Sequence, residues 1–107
     1  MSDELRKPGT SASSSAASAV TREIPIINKR GLHARASAKF VQMVEKFDAD
    51  VKVTRNSETV GGTSIMGLMM LAAGIGTSIT VSATGTQAQE VVDALTTLLG
   101  NKFNEDE

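Results

Sequence analysis

Two stretches of the chain carry apolar side chains at helical spacing, and they constrain the fold more than any other feature of the sequence. The first, in residues 34–47, places on one face Phe40, Val41, Val44 and Phe47. The second, in residues 88–99, contains the i, i+3, i+4, i+7 series Ala88, Val91, Val92, Leu95, Leu98 and Leu99. Such stripes predict two amphipathic helices, each burying one side against a core.

Short segments in which every second residue is apolar lie around these two helices. Residues 24–26, 51–54 and 79–83 alternate in this way, and the polar tripeptide at 55–57 is typical of a tight turn between two strands. Pro25 lacks a backbone N–H, so the first strand is expected at a sheet edge or in a locally interrupted ladder. These segments predict four strands, two of which form a hairpin.

Residues 65–72 are apolar on nearly all sides, which predicts a further short helix with one side buried and the other partly exposed. This helix is expected to stop at the A-G-I-G segment, where Gly74 and Gly76 adopt positive φ at little cost. The order β-α-β-β-α-β-α predicts an α+β fold, an open-faced sandwich in which three helices cover one face of a four-stranded, mainly antiparallel sheet. Strand order stays open, because a ferredoxin-like sheet with an added helix has the same sequence of elements.

The composition changes at both ends of the chain. Residues 1–21 include a run of Ser, Ala, Gly and Thr without large apolar side chains, which predicts a disordered extension. Residues 22–100 form the predicted domain, and residues 101–107 are predicted to be an acidic tail. A chain of 107 residues is expected to hold one such small domain.

The composition also argues against several classes of function. The chain has no Cys and one His, so neither a metal site nor another cofactor is expected. A net charge of −1 lacks the basic excess of a nucleic-acid surface. No run approaches the roughly 20 apolar residues of a spanning helix, and the start does not resemble a signal peptide. We therefore expect a cytoplasmic protein without membrane insertion, and a monomer, since nothing implies an oligomer.

Basic side chains concentrate around the one histidine. Between residues 22 and 39 there is one acidic residue, Glu23, against five basic residues, Arg22, Lys29, Arg30, Arg35 and Lys39. Such a cluster is either a solvated face or a surface that attracts phosphate or an acidic partner.

His33 follows the turn signal N-K-R-G of residues 28–31 and lies at or next to the N-cap of the first helix. The first N–H groups of a helix have no intrahelical acceptor and carry partial positive charge. A phosphoryl group on the imidazole would therefore meet the backbone amides of Ala34 and Arg35. The imidazole is a nucleophile that can hold such a group reversibly, and the Arg35 guanidinium can bind its oxygens as a fork. A lone His at such a place alternatively only caps or packs.

The pentapeptide G-L-H-A-R at residues 31–35, preceded by Asn28, resembles the active-site signature of the HPr family. Members of this family are the histidine-containing phosphocarriers of the phosphoenolpyruvate-dependent phosphotransferase system. A second segment, T-S-I-M-G-L-M at residues 63–69, resembles the regulatory serine segment of the family, and the order of elements agrees. The resemblance covers roughly residues 22–100.

This resemblance implies that His33 accepts a phosphoryl group from phosphorylated enzyme I and passes it to an enzyme IIA protein, with Arg35 stabilising the group. It also implies that an HPr kinase/phosphorylase modifies Ser64. A plain helix N-cap explains a hydroxyl at that position equally well. A carrier is substrate and product in successive transfers, so independent enzymatic turnover is not expected.

The predicted short helix offers a docking surface for enzyme I. Leu68 and Leu71 are expected in the core, and the predicted docking residues are Ile65, Met66, Met69 and Lys39. A phosphate on Ser64 would add about −1.5 to −2 charges beside these apolar side chains and weaken docking.

Two features depart from the family pattern. Ala36 stands where members commonly have proline, and residues 1–21 precede the usual start. Alanine has the highest intrinsic helix propensity, so Ala36 is expected to preserve the helix start.

Other functions are weighed against the carrier role. One alternative is a regulatory signalling module of the nitrogen-related phosphotransferase branch, and the sequence does not decide between the sugar and nitrogen branches. An RNA-binding ferredoxin-like domain would need aromatic side chains on its sheet, whereas two of the three Phe residues belong to the first helical stripe. A P-loop is excluded, because G-G-T-S-I-M-G lacks its spacing and its lysine.

Overall fold

The computed structural model describes residues 19–104 of the chain. Within this range the elements are β1 (Val20–Pro25), α1 (Ala34–Val44), β2 (Asp50–Arg55), β3 (Glu58–Gly61), α2 (Ile65–Met70), β4 (Ser78–Thr84) and α3 (Ala88–Gly100). A short 3₁₀ turn, Lys102–Asn104, follows α3. The predicted order β-α-β-β-α-β-α is confirmed.

The strands form one sheet in the order β1-β4-β2-β3, and each neighbouring pair is antiparallel. Ile24 of β1 lies opposite Ile79 of β4, and Val81 of β4 lies opposite Val53 of β2. β1 is an edge strand, a position in which Pro25 is tolerated. The order answers the question that the sequence left open: a ferredoxin-like sheet has β1 and β3 as its inner strands, whereas here β1 and β3 are the edge strands and β4 and β2 lie between them.

The helices cover one face of this sheet. Along β2 and β4, buried apolar residues alternate with hydroxyl-bearing or charged residues that point away from the helices. α1 packs against α2 and α3, and α3 packs against β1 and β4. Fully buried side chains from all three helices meet in the core, among them Phe40, Leu68 and Leu95. The predicted open-faced sandwich is confirmed.

The hairpin of β2 and β3 closes through a two-residue turn at Asn56 and Ser57. Both residues have positive φ, 51° and 69°, and Arg55 pairs with Glu58 on either side of them. Positive φ at both central positions matches the right-handed twist of the flanking strands, and Asn favours such a turn. The polar tripeptide was therefore interpreted correctly.

Two helices end earlier than the sequence pattern predicted. α1 ends at Val44 and not at Phe47, because the backbone tightens there into hydrogen bonds that span three residues. α2 ends at Met70, before the glycines that were predicted to stop it. Ala72 already adopts the left-handed conformation, with φ 54°, and its N–H donates to the Met69 carbonyl oxygen at 3.1 Å.

The packed domain is longer than the predicted range of 22–100. β1 begins at Val20, so residues 20 and 21 belong to the sheet. At the other end Phe103 is fully buried, and the Lys39 ammonium donates to its carbonyl oxygen at 2.6 Å. Residues 102–104 are therefore part of the domain and not of a tail. The predicted disorder of residues 1–18 and the acidic end at 105–107 lie outside the described residues.

Candidate functional site

The chain turns sharply at residues 28–31, just before α1. The Gly31 N–H donates to the Asn28 carbonyl oxygen at 3.2 Å, and the Asn28 side-chain amide donates to the Gly31 carbonyl oxygen at 2.8 Å. Gly31 has φ 63°, and a Cβ there would overlap the Ala73 carbonyl oxygen and come within 2.8 Å of Gly74 Cα. Glycine is required, and its close approach holds the turn against the segment that follows α2.

His33 is the N-cap residue of α1. Its backbone is extended, with φ −72° and ψ −179°, and its carbonyl oxygen accepts the first intrahelical hydrogen bond, from the Ser37 N–H at 2.9 Å. Within residues 19–104 the imidazole makes no capping bond to the helix, and it is partly exposed. The alternatives of a side-chain cap or a core histidine are thus contradicted. The N–H groups of Ala34, Arg35 and Ala36 precede the first intrahelically bonded amide.

A shallow depression of about 290 Å³ opens beside His33. It is lined by residues from the turn before α1 and from the end of α2 onward, namely Arg30, Leu32, His33, Met69, Ala72, Ala73 and Gly74. The volume is at the lower end of the range of about 300–1,000 Å³ that is usual for ligand pockets. A depression this open suits a group presented by a protein partner better than an enclosed small molecule.

Two of the five basic residues near His33 in sequence are engaged elsewhere. Arg22 donates to Asp93 Oδ1 at 3.0 Å and to Thr96 Oγ1 at 2.9 Å, which ties β1 to α3. The Lys39 ammonium bonds to the turn after α3. The positive surface around His33 is therefore smaller than the sequence predicted. Lys39 stays a predicted docking residue, although its ammonium already has a structural partner.

The other three basic side chains, Lys29, Arg30 and Arg35, are exposed. Arg30 lines the depression, and Arg35 lies in the first turn of α1, two residues after His33. Among residues 19–104 no group of three His, Cys, Asp or Glu residues could hold a metal ion. The chemistry available at this end of α1 is therefore an imidazole, two guanidinium groups and backbone amides.

Ser64 is the N-cap of α2, as the plain structural interpretation predicted. Its Oγ accepts a hydrogen bond from the Gly67 N–H at 3.0 Å, and the residue is exposed. A Cβ at Gly67 would lie 2.9 Å from this Oγ and 3.0 Å from Val60 Cβ. The small residue lets α2 begin close against β3.

Four exposed apolar side chains of α2 form a surface that we call the α2 apolar patch: Ile65, Met66, Met69 and Met70. Three of them were predicted to be exposed. Met70 was missed, although it is 70% exposed and stands at i+4 from Met66, which is 68% exposed. That spacing places both on one face of the helix and is the signal that identifies Met70.

The opposite side of α2 is buried, and the patch adjoins the histidine. Leu68 and Leu71 lie in the core, as predicted. Met69 belongs to the patch and also lines the depression beside His33. A partner that covered the α2 apolar patch would therefore also reach the imidazole.

A second exposed apolar pair, Ile27 and Ile75, was not predicted. Ile75 is 60% exposed, and both residues line a shallow apolar hollow at the end of β1 that also includes Pro25 and Ile26. Ile75 stands between two glycines, outside any periodic segment, so the sequence pattern carries no signal for it.

Residues 20–101 match the family model described as the PTS HPr component phosphorylation site. The match covers most of the chain and includes His33. The chain belongs to the HPr family. None of the helices within residues 19–104 has the length and apolar character that a membrane span requires.

Individual HPr-family relatives agree with this result. Phosphocarrier protein HPr of Cupriavidus necator is 52% identical over 86 residues, which are 80% of this chain and 97% of the relative. Phosphocarrier protein NPr of Shewanella violacea is 37% identical over 84 residues, 78% of this chain and 92% of the relative. The structure of HPr-C-His from Thermoanaerobacter tengcongensis superposes with a TM-score of 0.78 at 39% identity, covering 82% of this chain and 99% of that one. The family and the HPr fold predicted from the sequence are confirmed.

Proposed function

We propose that His33 is the residue on which this chain carries a phosphoryl group. Membership of the HPr family makes the chain a phosphocarrier of the phosphotransferase system, which moves a phosphoryl group from enzyme I to an enzyme IIA protein. One observation carries the assignment to His33: the partly exposed imidazole stands at the N-cap of α1, beside an open depression, without capping the helix.

The transfer is a displacement at phosphorus. A nitrogen of the neutral imidazole attacks the phosphorus atom that phosphorylated enzyme I presents, and an N–P bond forms. The bond between phosphorus and the donor group of enzyme I breaks, and its electron pair stays with that donor. The same events in the opposite direction transfer the phosphoryl group from His33 to a histidine of enzyme IIA.

The start of α1 supplies stabilisation for the phosphoryl oxygens. The amides of Ala34 and Arg35 lie in the first turn, where the helix dipole is positive. The exposed Arg35 guanidinium adds a planar pair of donors that matches two phosphoryl oxygens. These groups are present before the phosphoryl group arrives, so little reorganisation is required during transfer.

Enzyme I docks, in this proposal, on the α2 apolar patch. A patch centred on methionines adapts to the differing surfaces of a donor and an acceptor. Its contact with the depression through Met69 brings the partner to His33. Lys39 contributes through its aliphatic stem, because its ammonium donates to the Phe103 carbonyl oxygen.

Phosphorylation of Ser64 by an HPr kinase/phosphorylase would regulate this docking. The exposed Ser64 hydroxyl accepts the Gly67 N–H, and phosphate oxygens at the same place can accept it as well. The added charge would lie next to Ile65 without unfolding α2. We expect Ser64→Asp to raise the KM for enzyme I while Ser64→Ala, which adds no charge, leaves it near the wild-type value. Equal KM values for both variants would argue against charge as the regulatory signal.

We place this carrier in the cytoplasm as a monomer. Its phosphotransferase partners support that location. Light scattering of the purified chain tests the monomer, and a mass near twice 11.2 kDa would overturn it.

A second candidate is a mainly regulatory module of the nitrogen-related branch. The similarity to an NPr protein favours it, although the identity to that protein, 37%, is lower than the 52% to an HPr protein. Transfer from the phosphorylated chain to a sugar-type or a nitrogen-type enzyme IIA distinguishes the branches. We expect faster transfer to the sugar-type acceptor.

The decisive experiment is intact mass after incubation with enzyme I and phosphoenolpyruvate. The wild-type chain and Ser64→Ala should each gain one acid-labile phosphate, and His33→Ala should gain none. A phosphate retained in His33→Ala would place the carrier residue elsewhere. No gain in the wild type, with enzyme I shown to be active, would sink the assignment.

A further inference from the structure

Two polar side chains are fully buried in the core that the structure describes, Asn28 and Ser37. A polar group removed from water costs free energy unless it is hydrogen-bonded, so such residues are retained for the bonds they make. Both of these side chains lie within five residues of His33 in the sequence, and both bond to backbone carbonyl groups beside it.

Together the two residues hold three successive carbonyl groups. The Asn28 amide donates to the Gly31 oxygen at 2.8 Å, and the Ser37 hydroxyl donates to the Leu32 oxygen at 3.1 Å. The Ser37 N–H donates to the His33 oxygen at 2.9 Å. The carbonyls of residues 31, 32 and 33 are therefore all fixed from the buried side.

Leu32, the residue directly before His33, is restrained at every group. Its N–H donates to the Ala73 carbonyl oxygen at 3.0 Å, its carbonyl accepts the Ser37 hydroxyl, and its side chain is buried. The backbone that leads into His33 consequently has little freedom to rotate.

This restraint matters because the imidazole makes no capping hydrogen bond to the helix. The side-chain torsions turn the ring about the Cα–Cβ bond of His33, and the position and direction of that bond follow from the backbone of residues 31–33. Ala36, in the first turn, does not restrict φ as a ring residue would. The hydrogen bonds on the buried side of the turn therefore fix the backbone at the start of α1.

We propose that Ser37, supported by Asn28, is a positioning residue that sets the direction of the His33 imidazole for phosphoryl transfer. This inference rests on the proposed role of His33. Ser37 is buried and does not touch the phosphoryl group; it acts through the carbonyl groups of Leu32 and His33. An in-line displacement needs the attacking nitrogen aligned with phosphorus, and misplacement near 1 Å is costly.

The test compares Ser37→Ala with two companion variants. Ser37→Thr keeps the hydroxyl donor. Thr96→Val removes a hydroxyl that donates to the Val92 carbonyl oxygen at 2.8 Å and accepts from Arg22 at 2.9 Å, and it serves as a control for lost stability. For each chain, transfer from phosphorylated enzyme I is measured over a range of chain concentrations to separate kcat from KM, and Tm is recorded.

We expect Ser37→Ala to lower kcat about tenfold, with KM unchanged because the α2 apolar patch is intact. Ser37→Thr should restore most of kcat, and Thr96→Val should keep the wild-type kcat despite a lower Tm. A wild-type kcat in Ser37→Ala, an effect confined to KM, or the same loss of kcat in Thr96→Val would each overturn the positioning role.

Two further comparisons keep the result decisive. If Ser37→Ala does not fold, Ser37→Cys replaces it, since a thiol has similar size and is a much weaker donor. A wild-type chain that gains no acid-labile phosphate refutes the role of His33 and the positioning role with it. A wild-type chain that gains phosphate, beside a Ser37→Ala chain of equal kcat, refutes the positioning role alone.

Discussion

The Lys39 ammonium lies 2.6 Å from the Phe103 carbonyl oxygen, and this hydrogen bond joins the middle of α1 to the turn that ends the domain. Phe103 is fully buried although it and its neighbours Lys102 and Asn104 have positive φ, between 54° and 59°. A left-handed conformation costs roughly 1–2 kcal/mol for a residue with a Cβ. Burial of the ring must offset that strain, so the turn is a structural support of α1.

Phe103→Ala is expected to lower the free energy of unfolding by about 3–5 kcal/mol, because it empties a filled core position and leaves the turn strained. Chemical denaturation followed by circular dichroism measures the change. Lys39→Met keeps the ring and should cost only about 1 kcal/mol. If the two variants were equally stable, the ring would not be the anchor.

The periodic parts of the sequence predicted most of the fold. Apolar stripes predicted α1 and α3, and alternation predicted the strands, since each pattern reflects burial on one side of an element. Phe103 was missed because a single aromatic residue in a polar segment has no period. Strand order was also beyond the sequence, because it depends on contacts between residues far apart in the chain.

The candidate site was only partly visible in the sequence. The position of His33 at the start of a helix followed from local turn and helix signals, and those signals need no tertiary information. The role of Arg22 did not follow from local signals, because its partners lie 71 and 74 residues away in α3. Ser37 carried no signal, since a serine among alanines in a helix gives no indication that its hydroxyl is buried.

Ala72→Gly is expected to stabilise the domain slightly. Ala72 has φ 54°, and relief of this left-handed strain is worth roughly 1–2 kcal/mol. Glycine offsets about 0.4–1 kcal/mol of this gain, because it increases the conformational entropy of the unfolded chain. The midpoints of these two ranges leave a net gain of about 0.8 kcal/mol, measured as a higher denaturation midpoint at constant m. A lower midpoint would show that Ala72 is not strained. Ala73→Gly, at the buried neighbouring residue, is the control and should not show this gain.

Met70→Glu is expected to weaken docking of enzyme I without changing the chemical step. Met70 is mostly exposed, so a carboxylate there should leave Tm nearly unchanged. When a partner covers the patch, the new carboxylate loses its hydration, which weakens binding. We expect KM to rise about tenfold, which corresponds to the loss of more than 1 kcal/mol of binding free energy at one interface residue. Thr97→Glu adds the same charge on the exposed side of α3 and should leave KM unaltered. A fall in kcat at constant KM would contradict a docking role.

Arg35→Lys is expected to lower kcat for phosphoryl transfer, because it keeps the positive charge and removes the planar pair of donors. Arg35 is exposed in the first turn of α1, so stability should change little. Lysine meets phosphate as a point charge and not as a fork. We expect kcat to fall about tenfold for lysine and further for Arg35→Ala, since arginines at phosphoryl transition states contribute up to about 10³–10⁵-fold.

Rapid-quench measurement of transfer from phosphorylated enzyme I separates this effect from general electrostatics. Lys46→Gln removes one exposed positive charge just after α1, away from the helix N-terminus, and reports the contribution of net charge alone. If Arg35→Lys and wild type had the same kcat, the charge alone would suffice and the fork would be unnecessary. If Lys46→Gln and Arg35→Ala lost activity equally, Arg35 would act through the field of the whole protein and not at the phosphoryl group.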